Sequence, residues 1–595
     1  MKSNIKVMCL KTRLLLSLFI ILLFPGAIFS QGLLCWSDRY TPVSGTTDDI
    51  ATAIAVDANE NVYVTGQASG KGIGPITTLK YPSGGGNPIA VHYKGHGEGR
   101  GMALTAVGGY IYVAARSTGP KLSKTASNGM DFVVLKYDVN LKLVWEARYT
   151  NTAHNNSYDE PVAITVVGSK VFVTGKSSYS GSSSSNWKFD YTTLVYNDEG
   201  TLLKAYRYSG NNSGSHEATG LVVVPEGSDY GIYVTGRSAI NTGWDYLTLK
   251  YLLSSQTTGP VWYHRYNGPV GGDDEALAIA ASNNKVYVTG RSQSVKSDTG
   301  MDYLTLSYNT SGNGINNPTW FARYNGTANA RDAALAIAAA DNHVYVTGRS
   351  DEQTLNMDIV TLKYTDDMTQ VVDPVKGLPH STIWKYNGPG NSYDEATSIS
   401  VKGDRIFVSG RSAGIGTGLD YVALMYNDGS NVVLWEGRYH GVTNQNDEAN
   451  ALAIVSTVSG PFNVYLTGRS QGSKTGFDYV TVKYNTGTNC STNASSHMIA
   501  PFIREEVQDL VSFSVYPTSF THIANVTLNL AESAYFTIDI INTRGAIVNV
   551  VAAGNAEAGR DYVFPLNGEK LPNGLYIVRL STEAEKRSLK VFLSR

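Results

Sequence analysis

The feature that most constrains this chain is a short phrase, Val-Tyr-Val-Thr-Gly-Arg-Ser, that recurs about every 57 residues. Versions of it occupy residues 62–66, 111–115, 171–175, 232–236, 286–290, 344–348, 406–410 and 464–468. Such even spacing predicts one supersecondary unit, repeated, whose copies bury their faces against one another. The repeat constrains the architecture and leaves the chemistry open.

Each repeated unit contains four short segments with strand character. In the unit that begins near Asp273, a segment rich in small apolar residues at 274–281 precedes alternating segments at 286–290 and 302–308 and a fourth segment at 320–324. Four antiparallel strands, evenly repeated, predict the blades of a β-propeller, with the small residues on the innermost strand. The two-residue periodicity excludes helical repeats, and an open solenoid is the alternative.

The two ends of the repeat region complement each other. Residues 36–40 look like the fourth strand of a unit although they precede the first unit, and the last unit stops after its third strand at 478–484. We therefore expect the early strand to complete the last blade and to close a ring of eight blades. Closure would bring Cys35 and Cys490 together, which predicts a disulfide in an oxidising compartment; two unpaired thiols are the alternative.

The repeated motifs also resemble a known family. The segments Asp-Asp-Glu-Ala-x-Ala-Ile, Val-Tyr-Val-Thr-Gly-Arg-Ser and Asp-Tyr-x-Thr-Leu-Lys-Tyr are similar to the bacterial SBBP-type β-propeller repeat across residues 36–484. The resemblance implies an all-β propeller, and it implies little about activity because propellers host many functions.

The regions outside the repeats predict an exported protein. Residues 1–30 have the pattern of a signal peptide, in which cations precede an apolar stretch at 14–24 that is too short to span a bilayer. Residues 31–484 form the predicted propeller, and residues 485–512 are rich in Ser, Thr and Asn, as linkers are. Residues 513–595 contain about seven alternating segments, which predict a small Ig-like β-sandwich.

The C-terminal module resembles the type A sorting domain of the type IX secretion system of Bacteroidota. The matching segments are Val-Tyr-Pro at 515–517, Leu-Pro-Asn-Gly-Leu-Tyr-Ile-Val-Arg-Leu at 571–580 and Lys-Val-Phe-Leu-Ser-Arg at 590–595. The resemblance implies that the secretion machinery is a partner and that the mature protein lies outside the cell or on the outer-membrane surface. The formal net charge of -2 gives no reason to expect nucleic acid as a partner, and no transmembrane segment is expected.

One set of charged residues predicts ion pairs within the blades. Seven units carry a cation after Thr-Gly together with an Asp at the start of the third strand, whereas the first unit has Gln67 and Pro75 and lacks both. This joint presence predicts structural pairs that tie the second strand to the third. The clearest of these are Arg237–Asp245, Arg291–Asp302, Arg349–Asp358, Arg411–Asp420 and Arg469–Asp478. A basic ring that binds a ligand is the alternative.

A second set of charged residues opens the innermost strand of most units. In a closed ring these side chains are expected to gather at one mouth of the central channel, where they could bind a cation, a basic ligand or a glycoside substrate. The alternative is that they accept hydrogen bonds from turn N–H groups. The candidates are Asp49, Asp159, His216, Asp274, Asp332, Asp394 and Asp447. No cofactor and no metal site is predicted, although Ca²⁺ at these carboxylates is an alternative.

The sequence favours a binding role over catalysis without settling the choice. It contains no His-Glu-x-x-His or phosphate-loop motif. We therefore expect a secreted or cell-surface propeller that binds a glycan, a protein or a matrix component. The alternatives are an extracellular polysaccharide-directed enzyme that uses the acidic mouth and a structural surface-layer component. Exposed aromatic residues on one loop face would favour the binding role.

Overall fold

The computed structural model describes residues 30–594 apart from several short segments. Those segments are 42–47, 69–73, 121–128, 152–157, 181–186, 211–213, 240–242, 295–299, 312–313, 316, 329–330, 354–355, 366–381, 457–459, 474, 488–489, 491–511, 517–518, 531–532, 543–545, 559, 561 and 583–585. The predicted signal peptide and most of the predicted linker lie outside the described residues. The chain divides into two compact units, Met1–Ser495 and Ser496–Arg595.

The first unit consists of four-stranded antiparallel sheets, of which the described residues contain eight. We number the sheets along the chain. Sheet 1 contains Ile50–Val56, Val62–Gln67, Ile76–Tyr81 and Ile89–Tyr93; sheet 2 contains Gly99–Val107, Tyr110–Thr118, Met130–Asp138 and Leu143–Tyr149; sheet 3 contains Asp159–Val167, Lys170–Ser180, Lys188–Asn197 and Leu202–Tyr208; sheet 4 contains His216–Glu226, Asp229–Ala239, Trp244–Leu252 and Trp262–Tyr266.

The remaining four sheets repeat the same order. Sheet 5 contains Asp274–Ser282, Lys285–Gln293, Met301–Asn309 and Trp320–Tyr324; sheet 6 contains Ala333–Ala340, His343–Gln353, Asn356–Thr365 and Thr382–Tyr386; sheet 7 contains Asp394–Lys402, Arg405–Ala413, Leu419–Asn427 and Val433–Tyr439; sheet 8 contains Asp447–Ser456, Phe462–Gln471, Phe477–Asn485 and Leu33–Tyr40. Two-residue parallel strands extend sheets 7 and 4 at their outer edges, namely Ser30–Gln31 and Gly314–Ile315.

The sheets form a closed ring. The first strand of each sheet packs beside the first strand of the next, and the first strand of sheet 8 packs beside that of sheet 1. Leu33–Tyr40 pairs antiparallel with Phe477–Asn485, so the start of the repeat region completes the last sheet. Cys35 and Cys490 form a disulfide whose Cα atoms are 5.3 Å apart across a sequence separation of 455 residues. The predicted propeller, its closing strand and its disulfide are thereby confirmed.

Burial explains the composition of the repeated phrase. The second and third strands of each sheet lie between neighbouring sheets and are buried on both faces, whereas the first strands are half-buried along the channel. A Thr of the second strand contacts a Thr of the third strand inside the sheet, as in the Thr289–Thr305 pair at 2.9 Å. Tyr hydroxyls cross to the next sheet: Tyr246 donates to the Leu304 carbonyl at 3.0 Å, and Tyr479 of sheet 8 donates to the Thr77 carbonyl of sheet 1. These buried polar groups are thus satisfied within and between sheets.

The glycine of the phrase is required by close backbone contact. A Cβ at Gly290 would lie 2.0 Å from the Glu275 carbonyl oxygen, because the first strand bulges between Ala276 and Ala278 and presses onto the second. No larger residue fits there without movement of the backbone.

The second unit is a two-sheet sandwich. One sheet contains Ser512–Tyr516, Ile523–Asn529 and Tyr562–Asn567; the other contains Ser519–Phe520, Lys586–Leu593, Gly574–Thr582, Ala534–Ile541 and Ile547–Ala556. Alternating residues of both sheets meet in one core, in which Val526, Ile538 and Val578 are fully buried.

Candidate functional site at the channel mouth

The candidate site lies where the first strand of each sheet begins and the second strand ends. Antiparallel pairing places these two positions opposite each other, as in Glu275 and Arg291 of sheet 5. The Glu275 carboxylate accepts a hydrogen bond from Arg291 Nη2 at 2.8 Å and another from Arg237 Nη1 of sheet 4 at 3.1 Å. One carboxylate therefore joins two neighbouring sheets beside the channel.

The same bridge recurs around the channel. We call these side chains the mouth ring; its cations are Arg116, Lys176, Arg237, Arg291, Arg349, Arg411 and Arg469, and its carboxylates are Glu160, Glu217, Glu275, Glu395 and Glu448. Ion pairs within 4.0 Å run unbroken from sheet 2 to sheet 5 and from sheet 6 to sheet 8. The ring cations are partly exposed, between 20% and 33%, so each pair contributes modestly to stability.

Glu395 illustrates the electrostatics of the mouth ring. Burial raises the pKa of this carboxyl, but Arg411, the Tyr393 hydroxyl and Arg349 outweigh burial and hold the pKa below its usual value. The carboxylate is therefore ionised at neutral pH and fixed between two guanidinium groups. A group held in this way positions its neighbours and does not resemble a general acid with a raised pKa.

The predicted pairs between ring arginines and third-strand aspartates are wrong. Arg237 lies opposite Tyr246, whereas Ser238 lies opposite Asp245, so Arg237 and Asp245 point to different faces of sheet 4. The Arg237 guanidinium instead bonds Glu217 and Glu275. In sheets 5, 7 and 8 the ring arginine likewise pairs with a glutamate of a first strand and not with the third-strand aspartate. In sheet 6, Arg349 bonds Glu395 and the Tyr393 hydroxyl.

The third-strand aspartates pair with arginines of the outermost strand. Asp302 accepts from Arg323 Nη1 at 3.1 Å, and both side chains are almost fully buried. The equivalent pairs are Asp131–Arg148, Asp190–Arg207, Asp245–Arg265, Asp420–Arg438 and Asp478–Arg39. Sheet 6 is the exception, because Lys385 occupies the arginine position and bonds Glu352 instead of Asp358. Burial and the nearby Asp394 and Glu352 carboxylates raise the pKa of Asp358 to about 7.

The predicted acidic rim is also wrong, because the aspartates that open the first strands are buried. Asp274 is fully buried and accepts from the Gly268 N–H at 2.6 Å and from the Ser292 hydroxyl. Asp332 accepts from the Gly326 and Asp351 N–H groups. Burial raises the pKa of these carboxyls to about 6, as it does for Asp447. Asp49, Asp159 and Asp394 are equally enclosed, at 2%, 0% and 0% exposure.

His216 replaces the aspartate in sheet 4 and is likewise structural. Its Nε2–H donates to the Ser209 carbonyl at 2.9 Å, and its Nδ1 accepts from the Ser238 hydroxyl. The imidazole is fully buried, and burial lowers its pKa, so it is neutral at physiological pH. It stands in for the carboxylate that accepts from the corresponding serine in sheet 5.

Aromatic side chains flank the cations of the mouth ring. The Arg237 guanidinium lies 4.4 Å from the ring centre of Trp244, and Arg469 lies 4.4 Å from that of Phe477. Tyr393 and Tyr158 are placed similarly beside Arg411 and Arg116, at 5.6 and 5.7 Å. All of these aromatic rings are half-buried. Sequence reasoning pointed to aromatic residues in loops and missed these, although each lies within a few residues of a first or third strand.

One group of aromatic residues is larger than the others. Trp187 packs against Tyr158 with ring centres 4.7 Å apart and against Phe189 at 6.3 Å. The Tyr158 hydroxyl donates to Glu160 at 2.9 Å and accepts from Arg116. The cluster therefore lies directly beside the mouth ring at sheets 2 and 3.

Two of the pockets lined by described residues lie on the ring of sheets. One, of about 350 Å³, lies at the mouth between sheets 3 and 5 and is lined by Lys176, Glu217, Arg237 and Glu275. The other, of about 850 Å³, lies between the outer strands of sheets 6 and 7 and is lined in part by Lys385, Glu436 and His440. Across the residues described, no group of three or more His, Cys, Asp or Glu side chains is arranged to hold a metal ion.

Comparison with known proteins identifies the second unit. Residues 514–594 match the family model described as the secretion system C-terminal sorting domain. Such a tail implies contact with the type IX secretion machinery and export to the cell surface or the extracellular space. In the part of the chain that the structure describes, no helix has the length and apolar character needed to cross a bilayer. No curated protein matches the sequence.

Solved structures resemble the chain in fold alone. Sqt1 from Chaetomium thermophilum is 10% identical with a TM-score of 0.40, and the match covers 76% of this chain and 100% of Sqt1. The N11 neuraminidase-like protein of an influenza A virus from a flat-faced bat is 7% identical with a TM-score of 0.33, over 78% and 97% of the two chains. Drosophila Semaphorin 2a is 8% identical with a TM-score of 0.35, over 95% and 99%. At these values none of them carries an argument about function.

Proposed function

We propose that this protein is an exported, non-catalytic binding module that takes an extracellular glycan, protein or matrix ligand at its channel mouth. The observation that carries the proposal is the pairing of half-buried aromatic rings with ring cations on one face of the sheets, as at Trp244 and Phe477. Aromatic faces and fixed guanidinium groups are the elements that binding surfaces use most, since they offer contact area with little loss of side-chain entropy.

The charges at the mouth favour binding over catalysis. The ring carboxylates are held in ion pairs by the ring cations, and the buried aspartates whose pKa is raised to about 6 have no open side toward the channel. A glycosidase needs two carboxyl groups of different pKa on either side of one substrate bond. The mouth ring repeats one arrangement instead, which suits the positioning of a ligand.

The proposal is tested with the full mature chain on arrays of polysaccharides and extracellular matrix proteins, together with an assay for new reducing ends and unsaturated products. We expect saturable binding without product. Trp187→Ala should weaken binding at least several-fold, because it removes the indole that packs on Tyr158 beside the mouth ring. Tyr263→Ala, which removes an aromatic ring on the outer strand of sheet 4 that is 37% exposed, is the matched control and should bind normally. Turnover of any array member, or equal binding by both variants, would contradict the proposal.

A further inference from the structure

The mouth ring has a break at which its charge pattern is inverted. In sheet 1, Ile50 occupies the position that is Glu in five other sheets, and its partner in register is Gln67 in place of a cation. In sheet 2, the glutamate position is taken by Arg100, which lies opposite Arg116. Among the described residues, the sector formed by sheets 8, 1 and 2 therefore has no carboxylate bridge from sheet 8 to sheet 2, and its sheet 2 carries two cations where five other sheets pair a glutamate with a cation.

Arg100 is the cation of this sector without a carboxylate partner. Every cation of the mouth ring has a carboxylate within 4.0 Å, whereas no such ion pair is found for Arg100 among the described residues. The Nε atom of Arg100 is buried and has no hydrogen-bond partner, as is also true of Arg291, Arg349 and Arg411, so the missing ion pair is what distinguishes Arg100. Glu98, the nearby acid, accepts from Gln67 Nε2 at 3.5 Å.

The surroundings of Arg100 are electropositive. Burial and the Arg116 guanidinium lower the pKa of Arg100 from its usual value, and Arg469 acts in the same direction, while Tyr479 and Glu160 oppose them. A guanidinium remains charged even when it is partly buried beside other cations, so a bound anion would stabilise it. A ligand anion would supply the charge that a glutamate supplies in the neighbouring sheets.

From this arrangement we propose that the sector of sheets 8, 1 and 2 binds an anionic glycan, with Arg100 as the contact for a carboxylate or sulfate group. The inference rests on the proposed binding function and names its ligand class. A planar guanidinium binds carboxylate and sulfate oxygens through two parallel N–H donors, and its geometry suits either group.

The aromatic cluster beside Arg116 favours a sugar over an acidic peptide. The Arg116 guanidinium lies 5.7 Å from the centre of the Tyr158 ring, which packs on Trp187 at an angle of 34°. The apolar face of a pyranose stacks on such rings while its charged substituent reaches a neighbouring cation. Charge and aromatic surface thus lie together on sheets 2 and 3.

The test measures the affinity of the full mature chain for five soluble probes by titration calorimetry. The probes are oligogalacturonate, sulfated dextran oligomers, unmodified dextran oligomers, cello-oligosaccharides and poly-glutamate. We expect the galacturonate or the sulfated oligomer to bind at least tenfold more tightly than the neutral sugars and poly-glutamate, and to weaken as ionic strength rises. The two anionic sugars distinguish a carboxylate from a sulfate as the recognised group.

Two variants of Arg100 and one control assign the site. Arg100→Gln should weaken the anionic sugar about tenfold, which corresponds to about 1.4 kcal/mol. Arg100→Glu restores the residue that five other sheets carry opposite a ring cation, so the fold accommodates it and binding should fall below detection. Lys142→Gln removes one positive charge from an exposed turn at the opposite end of sheet 2 and should leave the affinity unchanged.

The outcomes separate this inference from the proposed function. Preferential binding of an anionic sugar that depends on Arg100 supports both. Binding of neutral sugars alone, of poly-glutamate in preference to the sugars, or of an anionic sugar equally by wild type and Arg100→Glu overturns the inference and leaves the binding function standing. A folded protein that binds none of the probes and no member of the arrays overturns both.

Discussion

Removal of the Cys35–Cys490 disulfide should lower the stability of the ring by an amount that the chain length fixes. The bond joins residues separated by 455 positions. In the chain-entropy model, a cross-link that closes a loop of this length reduces the entropy of the unfolded chain enough to contribute about 6 kcal/mol at 25 °C. The double variant Cys35→Ser, Cys490→Ser should lose up to that amount of unfolding free energy.

The corresponding change in melting temperature is small because the ring is large. Unfolding entropy is about 2.1 cal/mol/K per residue, so a ring of this length gains about 1 kcal/mol/K on unfolding. A loss of about 6 kcal/mol then lowers Tm by about 6 °C. The same loss of unfolding free energy would lower the Tm of a domain one quarter as long by about four times as much.

Differential scanning calorimetry of the wild type, the reduced wild type and the double variant measures the effect. Non-reducing mass spectrometry confirms that the wild type carries the bond, and reductant added to the double variant controls for effects unrelated to the cysteines. We expect the reduced wild type and the variant to melt together, about 6 °C below the oxidised protein. Equal Tm values for the oxidised wild type and the variant would refute the entropic reasoning.

Three further changes test the packing. Gly290→Ala should cost about 2–4 kcal/mol of unfolding free energy, because its Cβ would lie 2.0 Å from a backbone oxygen, whereas Gly429→Ala, with open space around it, should cost little in denaturant titration. Asp358 has a pKa of about 7 in the folded protein, above its unfolded value, so its ionisation reduces stability as pH rises from about 4 to 7. The variant Asp358→Asn should therefore have a higher Tm than the wild type at pH 8 and the same Tm at pH 4, and a lower Tm at pH 8 would contradict this. Tyr246→Phe should cost about 1 kcal/mol, because it removes a buried hydrogen bond to the next sheet, and no change on chemical denaturation would refute that role.

The architecture was predictable because it depends on patterns that the chain repeats. The strand at 36–40 and the missing fourth strand after Tyr484 are complementary, and only ring closure makes use of both. The disulfide follows from the same closure, since it joins the two segments that closure brings together. The periodicity of the repeats and the order of their segments were therefore sufficient to predict the fold.

The ion pairs were not predicted correctly because joint presence does not identify a partner. In sheet 1, Gln67 replaces the cation and Pro75 replaces the aspartate of the expected pair. Sheet 1 also lacks the outer arginine, because His92 lies in its place. The aspartates therefore vary with the outer arginines as well as with the ring cations. Strand alternation decides between them: Arg237 and Asp245 are offset by one residue in register and so face opposite ways.

The mouth was mistaken for an acidic rim for a similar reason. Successive residues of a strand point to opposite faces, so Asp274 and Glu275 cannot both face the channel. Burial of Asp274 under its turn leaves Glu275 beside the ring cations. Arg100 occupies the position that is Glu in five other sheets, but the consequence of that change depends on which neighbouring cations already have carboxylates, and that requires coordinates.

The measurement that tests the central claim most directly is hydrogen–deuterium exchange of the full protein with and without a saturating bound oligosaccharide. We expect protection of the segments that contain Arg100 and Tyr158 at the channel mouth. The turns at 138–142 and 197–201, at the opposite end of sheets 2 and 3, should exchange at unchanged rates. Protection confined to those turns, with none at the mouth, would contradict a binding site built on the mouth ring.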